Sequence, residues 1–265
     1  MSFAFKTLDV RREGPVGWLN FNRPENMNAM DAGRLAELEE AWKVLDSDPA
    51  VRVIVNGAIG PVFNTGLDVK ELSKNREALK EQSRRTRDAT LKLTAWHVGV
   101  WKPVIVAVNG LCAGGGLHFV ADADIVVMSP DAQLLDPHVS VGQVSAFETI
   151  TLARKVPMEA VSRMALVGRG ERINAQTSYR LGLCSQISVS VGSLHDECQV
   201  LAETIARNSP AALAASKRAL WGAFEDGLTD ACRKGSAELV SVWGHPDQTE
   251  GPSAYAEGRN PEWRT

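Results

Sequence analysis

Leu111-Cys112-Ala113-Gly114-Gly115-Gly116-Leu117-His118 sets three glycines between an apolar run and a histidine at the expected start of a helix. The preceding run, Pro103-Val104-Ile105-Val106-Ala107-Val108, is apolar and mostly β-branched, which predicts a buried strand. Asn109-Gly110 then turns the chain outward, and the glycines let backbone approach a ligand closely. The first N–H groups of a helix lack intrahelical acceptors and lie at the positive end of its dipole. These features together predict a backbone site for a negatively charged oxygen. A tight structural turn is the competing reading of a glycine triplet taken by itself.

An earlier segment has the same build. Val62-Phe63-Asn64-Thr65-Gly66-Leu67-Asp68-Val69-Lys70-Glu71-Leu72 follows the apolar run 51–55 and again sets a glycine just before an expected helix. Two such elements can supply two backbone donors to one carbonyl oxygen.

Outward from these segments, strands and helices alternate. Residues 15–21 read as a strand with Val16, Trp18 and Asn20 on one face and Gly17, Leu19 and Phe21 on the other. Asp31 is an expected N-cap for a helix to about residue 45, whose Leu35, Leu38, Trp42 and Leu45 recur at three- and four-residue steps. Further strands are expected at 51–55, 104–108, 125–128 and 187–189, which gives an α/β fold. Beyond 189 the pattern is helical, with Ser209-Pro210 as N-cap and first helical residue of a helix running to 224. A core domain over 1–195 and a C-terminal helical region over 196–265 follow. The charged stretch 74–93, with Arg84, Arg85 and Arg87, reads as a solvated helix face.

At 265 residues the chain is long enough for one sizeable core, and a net charge of −3 gives no electrostatic reason to expect nucleic acid. No apolar run approaches the roughly 20 residues of a membrane span, and Met1 to Lys6 lacks the basic start and apolar core of a signal peptide. A cytoplasmic protein without membrane partners is expected. Cys112, Cys184, Cys198 and Cys232 show no metal-type spacing, so no metal is expected, and Cys112 reads as a small buried thiol. Neither a phosphate-binding loop of the Walker type nor a dinucleotide glycine fingerprint is present, so ATP and NAD are not implied.

The chain resembles the crotonase superfamily, the enoyl-CoA hydratase/isomerase family. The resemblance rests on Leu19-Asn20-Phe21-Asn22-Arg23-Pro24, Asn28-Ala29-Met30, the block 63–72, Lys102-Pro103, Ala107-Val108-Asn109-Gly110, the glycine triplet, residues 121–125, Glu250-Gly251, Tyr255 and Pro261-Glu262-Trp263. It implies a spiral of ββα units with C-terminal helices that assemble homotrimers or homohexamers. It implies an acyl-CoA substrate, CoA entering as part of that substrate and no separate cofactor. It also places the oxyanion-hole N–H groups on Leu67 and Gly115, and substrate contacts on Arg23, Asn28, Ala29, Asp68 and Lys70. Surface ion pairing is the alternative for Arg23, Asp68 and Lys70.

Where the resemblance implies two catalytic glutamates, this chain has His118 and His138, the latter in Leu134-Leu135-Asp136-Pro137-His138-Val139. A histidine titrates near pH 6.5 and can serve as acid or base. The helix dipole should disfavour the His118 imidazolium by roughly 0.3–1 kcal/mol, leaving a neutral ring suited to general-base work. The alternative is that both rings fill space where carboxylates once stood. An active histidine pair also admits a β-diketone or thioester hydrolase, and loss of both glutamates admits a non-catalytic acyl-CoA binder. Asp136 and Glu148 are spare carboxylates, and either could act in an isomerase-like site; the competing readings are a turn cap for Asp136 and a solvated helix face for Glu148.

Overall fold

The computed structural model describes residues 2–68 and 74–264. Eleven strands make two sheets among them: β1 (Ser2–Phe3), β2 (Leu8–Glu13), β3 (Val16–Phe21), β4 (Val53–Ala58), β5 (Val62–Asn64), β6 (Val104–Val108), β7 (Leu111–Ala113), β8 (Ile125–Met128), β9 (Gln133–Leu135), β10 (Ile173–Asn174) and β11 (Gln186–Ile187). The larger sheet runs β1-β2-β3-β4-β6-β8-β11 and the smaller β10-β9-β7-β5. From β4 onward the chain puts one strand in the large sheet and the next in the small one: β4 then β5, β6 then β7, β8 then β9. Like strands of successive units pair in parallel. Helices Arg76–Arg87, Leu117–Ala121 and Phe147–Lys155 follow the three units, which is the ββα succession of the resemblance.

Alternation along β3 divides the interior in two. Leu19 and Phe21 join the main core, whereas Val16 and Trp18 face a second core with Val53, Val55, Ile105, Ala107 and Val127. The main core takes Leu35, Leu38, Trp42 and Leu45 from the helix Ala32–Ser47, whose N-cap Asp31 accepts a hydrogen bond from Arg34 N at 2.9 Å. The second core is closed by the helix Leu194–Ala206 through Leu194, Cys198, Ala202 and Ala206. That helix straddles the expected boundary at 195/196: Trp18 donates to Gln199 Oε1 at 2.8 Å and stacks on His195.

Past this helix the described residues form the helices Pro210–Gly222, Leu228–Ser241 and Asp247–Glu257. Ser209 caps the first of them on Ala212 N, with Pro210 in its opening turn. No helix among the described residues is long and apolar enough to cross a membrane.

Two strand expectations shift. The strand expected at 51–55 forms at Val53–Ala58, because parallel pairing with β3 sets Val16 opposite Val53 and Phe21 opposite Ala58. Asn56 fits that buried position by donating to Leu19 O at 2.8 Å, while Val51 keeps a place in the core outside the strand. The last strand of the large sheet spans Gln186–Ile187 rather than 187–189. The helix expected to reach 224 ends at Gly222.

Candidate functional site

Adjacency of β5 and β7 in the small sheet brings the two glycine segments together. Gly66 has φ +85°, and its N–H bonds Asn64 Oδ1 at 2.7 Å. Its carbonyl accepts from Met30 N at 2.7 Å, and Asp68 N donates back to Met30 O at 2.9 Å. This parallel bridge uses the groups on either side of Leu67 and leaves the Leu67 N–H without an acceptor among the described residues. Gly115 lies in the 3-10 turn Gly114–Gly116, in a first turn where N–H groups lack intrahelical partners. A Cβ on Gly66 would sit 2.8 Å from Gly115 N, and one on Gly115 would sit 3.8 Å from Leu67 N. Only glycine at 66 therefore permits this approach, since a side chain would be both strained and obstructed. The helix that follows, Leu117–Ala121, is five residues long, so its dipole adds little.

Across the glycine turn stand the side chains. His138 opens the 3-10 turn His138–Val141, three residues beyond the end of β9, and its Cε1 would be 3.9 Å from a Cβ on Gly114. Its Nδ1 lies 2.7 Å from Oδ1 of the fully buried Asp136, which also accepts from His138 N at 3.0 Å. A carboxylate only accepts, so Nδ1 carries the proton and Nε2 keeps its lone pair when the ring is neutral. The Ser145 hydroxyl donates to the other Asp136 oxygen. Burial opposes ionisation of Asp136, but the bonds from the His138 ring, Ser145 and His138 N outweigh it and hold its pKa below the ordinary range. The same bond, against burial and with help from Glu148, holds His138 above its ordinary range.

Glu148, in the first turn of the helix Phe147–Lys155, stands between the two histidines. Its Oε2 is 3.5 Å from His118 Nε2 and its Oε1 3.4 Å from His138 Nδ1. At 4% exposure it is buried, not on the solvated face that its sequence position allowed, and burial pushes its pKa up. His118 is 7% exposed and its pKa falls to about 3, chiefly by burial and then by the charges of His97 and His138. Burial, and not the short helix, makes this ring neutral.

The other sequence candidates surround the Leu67 segment. Arg23 pairs with Asp31 at 2.7 Å and with Asp68 at 3.9 Å, and donates to Ala29 O at 3.3 Å. The Asn28 side chain is spent within the protein, accepting from Arg23 N and donating to Ile59 O and Val62 O. Arg23, Asn28 and Ala29 thus hold the loop against β5. Lys70 lies outside the described residues.

The enoyl-CoA hydratase/isomerase family profile matches residues 11–265. The chain belongs to the enoyl-CoA hydratase/isomerase family. It is 31% identical to the (E)-benzylidenesuccinyl-CoA hydratase of Thauera aromatica over 97% of this chain and 98% of that protein. It is 32% identical to the mitochondrial enoyl-CoA hydratase of Pongo abelii over 96% of this chain and 85% of that one. A crystal structure of an enoyl-CoA hydratase/isomerase from Mycobacterium paratuberculosis superposes with a TM-score of 0.89 at 32% identity, covering 98% of this chain and 99% of the other.

In this member of the enoyl-CoA hydratase/isomerase family, His118 also lines a cavity of about 250 Å³ with Trp96, His97, Asp122, Phe147 and Trp221. Thr94 Oγ1 donates to Asp122 Oδ2 at 2.7 Å and is 2.7 Å from His97 Nδ1. Sequence reasoning did not single out His97, Thr94 or Asp122. The one available signal was that His118 and Asp122 are four residues apart, on one face of a helical turn. Cys112 is fully buried and desolvation raises its pKa, which leaves an inert thiol.

Proposed function

We propose that this family member binds an acyl-CoA thioester with its carbonyl oxygen on the Leu67 and Gly115 N–H groups, and moves protons through His138 and Glu148, with His118 flanking Glu148. The observation that carries the reading is the Asp136–His138 pair set against the glycine turn, at 2.7 Å between Oδ1 and Nδ1. Asp136 fixes the tautomer that leaves Nε2 as base and stabilises the imidazolium that forms. His138 takes a proton from water as the water oxygen attacks Cβ of an enoyl thioester. The negative charge passes to the thioester oxygen, where the two N–H groups hold it. Glu148, which burial makes easier to protonate than an exposed carboxylate, delivers a proton to Cα. His118, neutral and buried, is a weak proton acceptor, and its part is to hold Glu148 in line. Arg23 and Asp68 brace the Leu67 segment at the edge of the substrate site.

A second reading, hydrolysis of a carbon–carbon or thioester bond, is favoured by the same dyad, because a histidine oriented by a buried carboxylate activates water for attack on a carbonyl. Purified protein is mixed with crotonyl-CoA, the enoyl absorbance is followed, and CoA-ester binding is measured by calorimetry on the same sample. Loss of the absorbance supports hydration. Tight binding without hydration moves the assignment to another acyl-CoA reaction or a binder, and no binding overturns the acyl-CoA reading in favour of a free diketone.

Assembly into a homotrimer or homohexamer belongs to the same proposal. Leu228, Leu239, Val240, Trp243 and Tyr255 of the last two helices and their connection are exposed in the single chain, and a neighbouring copy would cover them. Sedimentation equilibrium checks it, a monomer being the contrary result.

A further inference from the structure

We propose that the cavity lined by His118 receives the acyl tail of the thioester and selects a tail that carries an uncharged aryl ring. The inference rests on the acyl-CoA reading given above. His118 belongs to both places: its Nε2 lies 3.5 Å from Glu148 Oε2, and its ring lines the cavity. Phe147, the neighbour of Glu148, lines it as well, with its ring centroid 6.4 Å from that of His118. A carbonyl oxygen held at Gly115, three residues ahead of His118, therefore directs the chain beyond Cβ past this ring and into the cavity.

Separate parts of the chain build the walls from aromatic rings. Trp96 comes from the segment ahead of β6, Phe147 from the start of its helix, and Trp221 and Phe224 from the end of the helix Pro210–Gly222 and the turn after it. Trp96 and Trp221 stack at 6.2 Å between centroids with an interplanar angle of 30°, and Phe224 meets Trp221 edge-on at 5.7 Å. Trp221 is held in place, since its Nε1 donates to Asp124 Oδ1 at 2.6 Å and Lys155 Nζ lies 4.7 Å from its ring centroid. Trp96 keeps 44% of its surface exposed, which leaves indole surface for a guest ring. Ile150 is the one aliphatic side chain among the described lining residues.

The polar groups at the wall ask little of the guest. Thr94 Oγ1 lies 2.7 Å from both Asp122 Oδ2 and His97 Nδ1, donating to the carboxylate and accepting from the ring, which ties the three to one another. Arg154 and Glu225 are exposed and opposite in sign, so the lining offers no net charge from this pair to a carboxylate or an amine. At about 250 Å³ the space is ample for a ring, since an apolar cavity of about 150 Å³ holds benzene. Offset or edge-on contact between rings adds attraction beyond the buried area, and a ring has fewer torsions to freeze than an alkyl chain of equal carbon count.

The test is calorimetry on the full chain with three saturated esters, which enoyl hydration cannot consume: butyryl-CoA, nonanoyl-CoA and 3-phenylpropanoyl-CoA. The last two carry equal numbers of acyl carbons, and the hydrophobic effect alone favours the more apolar nonanoyl chain. The phenylpropanoyl ester is expected to bind about 10-fold more tightly than the nonanoyl ester. Trp96→Leu and Phe224→Leu, each checked for an unchanged circular dichroism spectrum, should lower that ratio at least about 3-fold. A wild-type ratio below about 3 overturns the proposal, and so does an unchanged ratio in both folded variants. Butyryl-CoA, whose acyl group ends before the cavity, reports the acyl-CoA reading by itself. If it binds and no aryl preference is found, only this inference falls, whereas binding by none of the three removes the reading and the inference together. The wild-type ratio decides the question even where a variant fails to fold.

Discussion

The Leu67–Gly115 half of the site and the His138–Glu148 half are made from different materials. The first is backbone: a bridge to Met30, a glycine at φ +85°, and two segments set so close by the pairing of β5 with β7 that a Cβ on Gly66 would stand 2.8 Å from Gly115 N. Nothing in it titrates, and its geometry is fixed by register and by the absence of side chains. The second half is a row of ionisable groups whose protonation is set by burial and mutual contact. The family profile spans both halves, over residues 11–265. Under the proposed function the second half carries the proton transfers, where a change of side chain would alter chemistry without moving the fold.

This contrast can be broken by experiment. Gly66→Ala should have the largest effect, because the added methyl meets Gly115 N in a backbone region that L residues avoid. We expect kcat/KM to fall by about 10²–10³-fold at every pH, as for loss of one oxyanion donor. An unchanged rate would remove Leu67 and Gly115 from the reaction. His138→Ala should cost about 10²-fold in kcat with KM little altered, read by steady-state kinetics.

Asp136→Asn sharpens the contrast further. His138 is held above its ordinary pKa chiefly by Asp136, and a base works only when neutral, so the wild-type rate should rise with pH through a value above about 6.5. Removing the carboxylate lowers that pKa, and the limb should move to lower pH together with a fall in maximal rate. A limb that stays in place would separate His138 from the rate. The smallest effect belongs to Glu81→Ala on the exposed helix Arg76–Arg87, which should leave both melting temperature and turnover unchanged.

Local signals were legible in the chain. Asp31 and Ser209-Pro210 announce their helices because a cap satisfies orphan donors within three residues. The run Val104–Val108 announces its strand because every position is buried. The strands of the small sheet, three residues each for β5, β7 and β9, are too short to show a period. The placement of β4 depended on a partner strand: Asn56 and Gly57 look unlike a buried strand until Leu19 and Asn20 lie beside them.

The site divides in the same way. The glycine segments and both histidines stood out by motif and resemblance. Glu148 could be named only as a spare carboxylate with two readings, since its burial arises only when the helix Phe147–Lys155 meets the helix Leu117–Ala121. His97 was hidden because 21 residues separate it from His118, and only the fold closes that distance to ring contact at 5.6 Å.

The two-sided use of β3 has a consequence during synthesis. The large sheet gains its last strand at Ile187, whereas the helix that covers Val16, Trp18, Val53, Val55 and Ile105 ends at Ala206. A ribosome-bound chain that has already assembled its sheet therefore presents this face bare until roughly 20 more residues have emerged, along with the stretch still inside the exit tunnel. Chaperone capture and misassociation of nascent chains should concentrate in that interval, and a stalled product ending before Leu194 would be the aggregation-prone species.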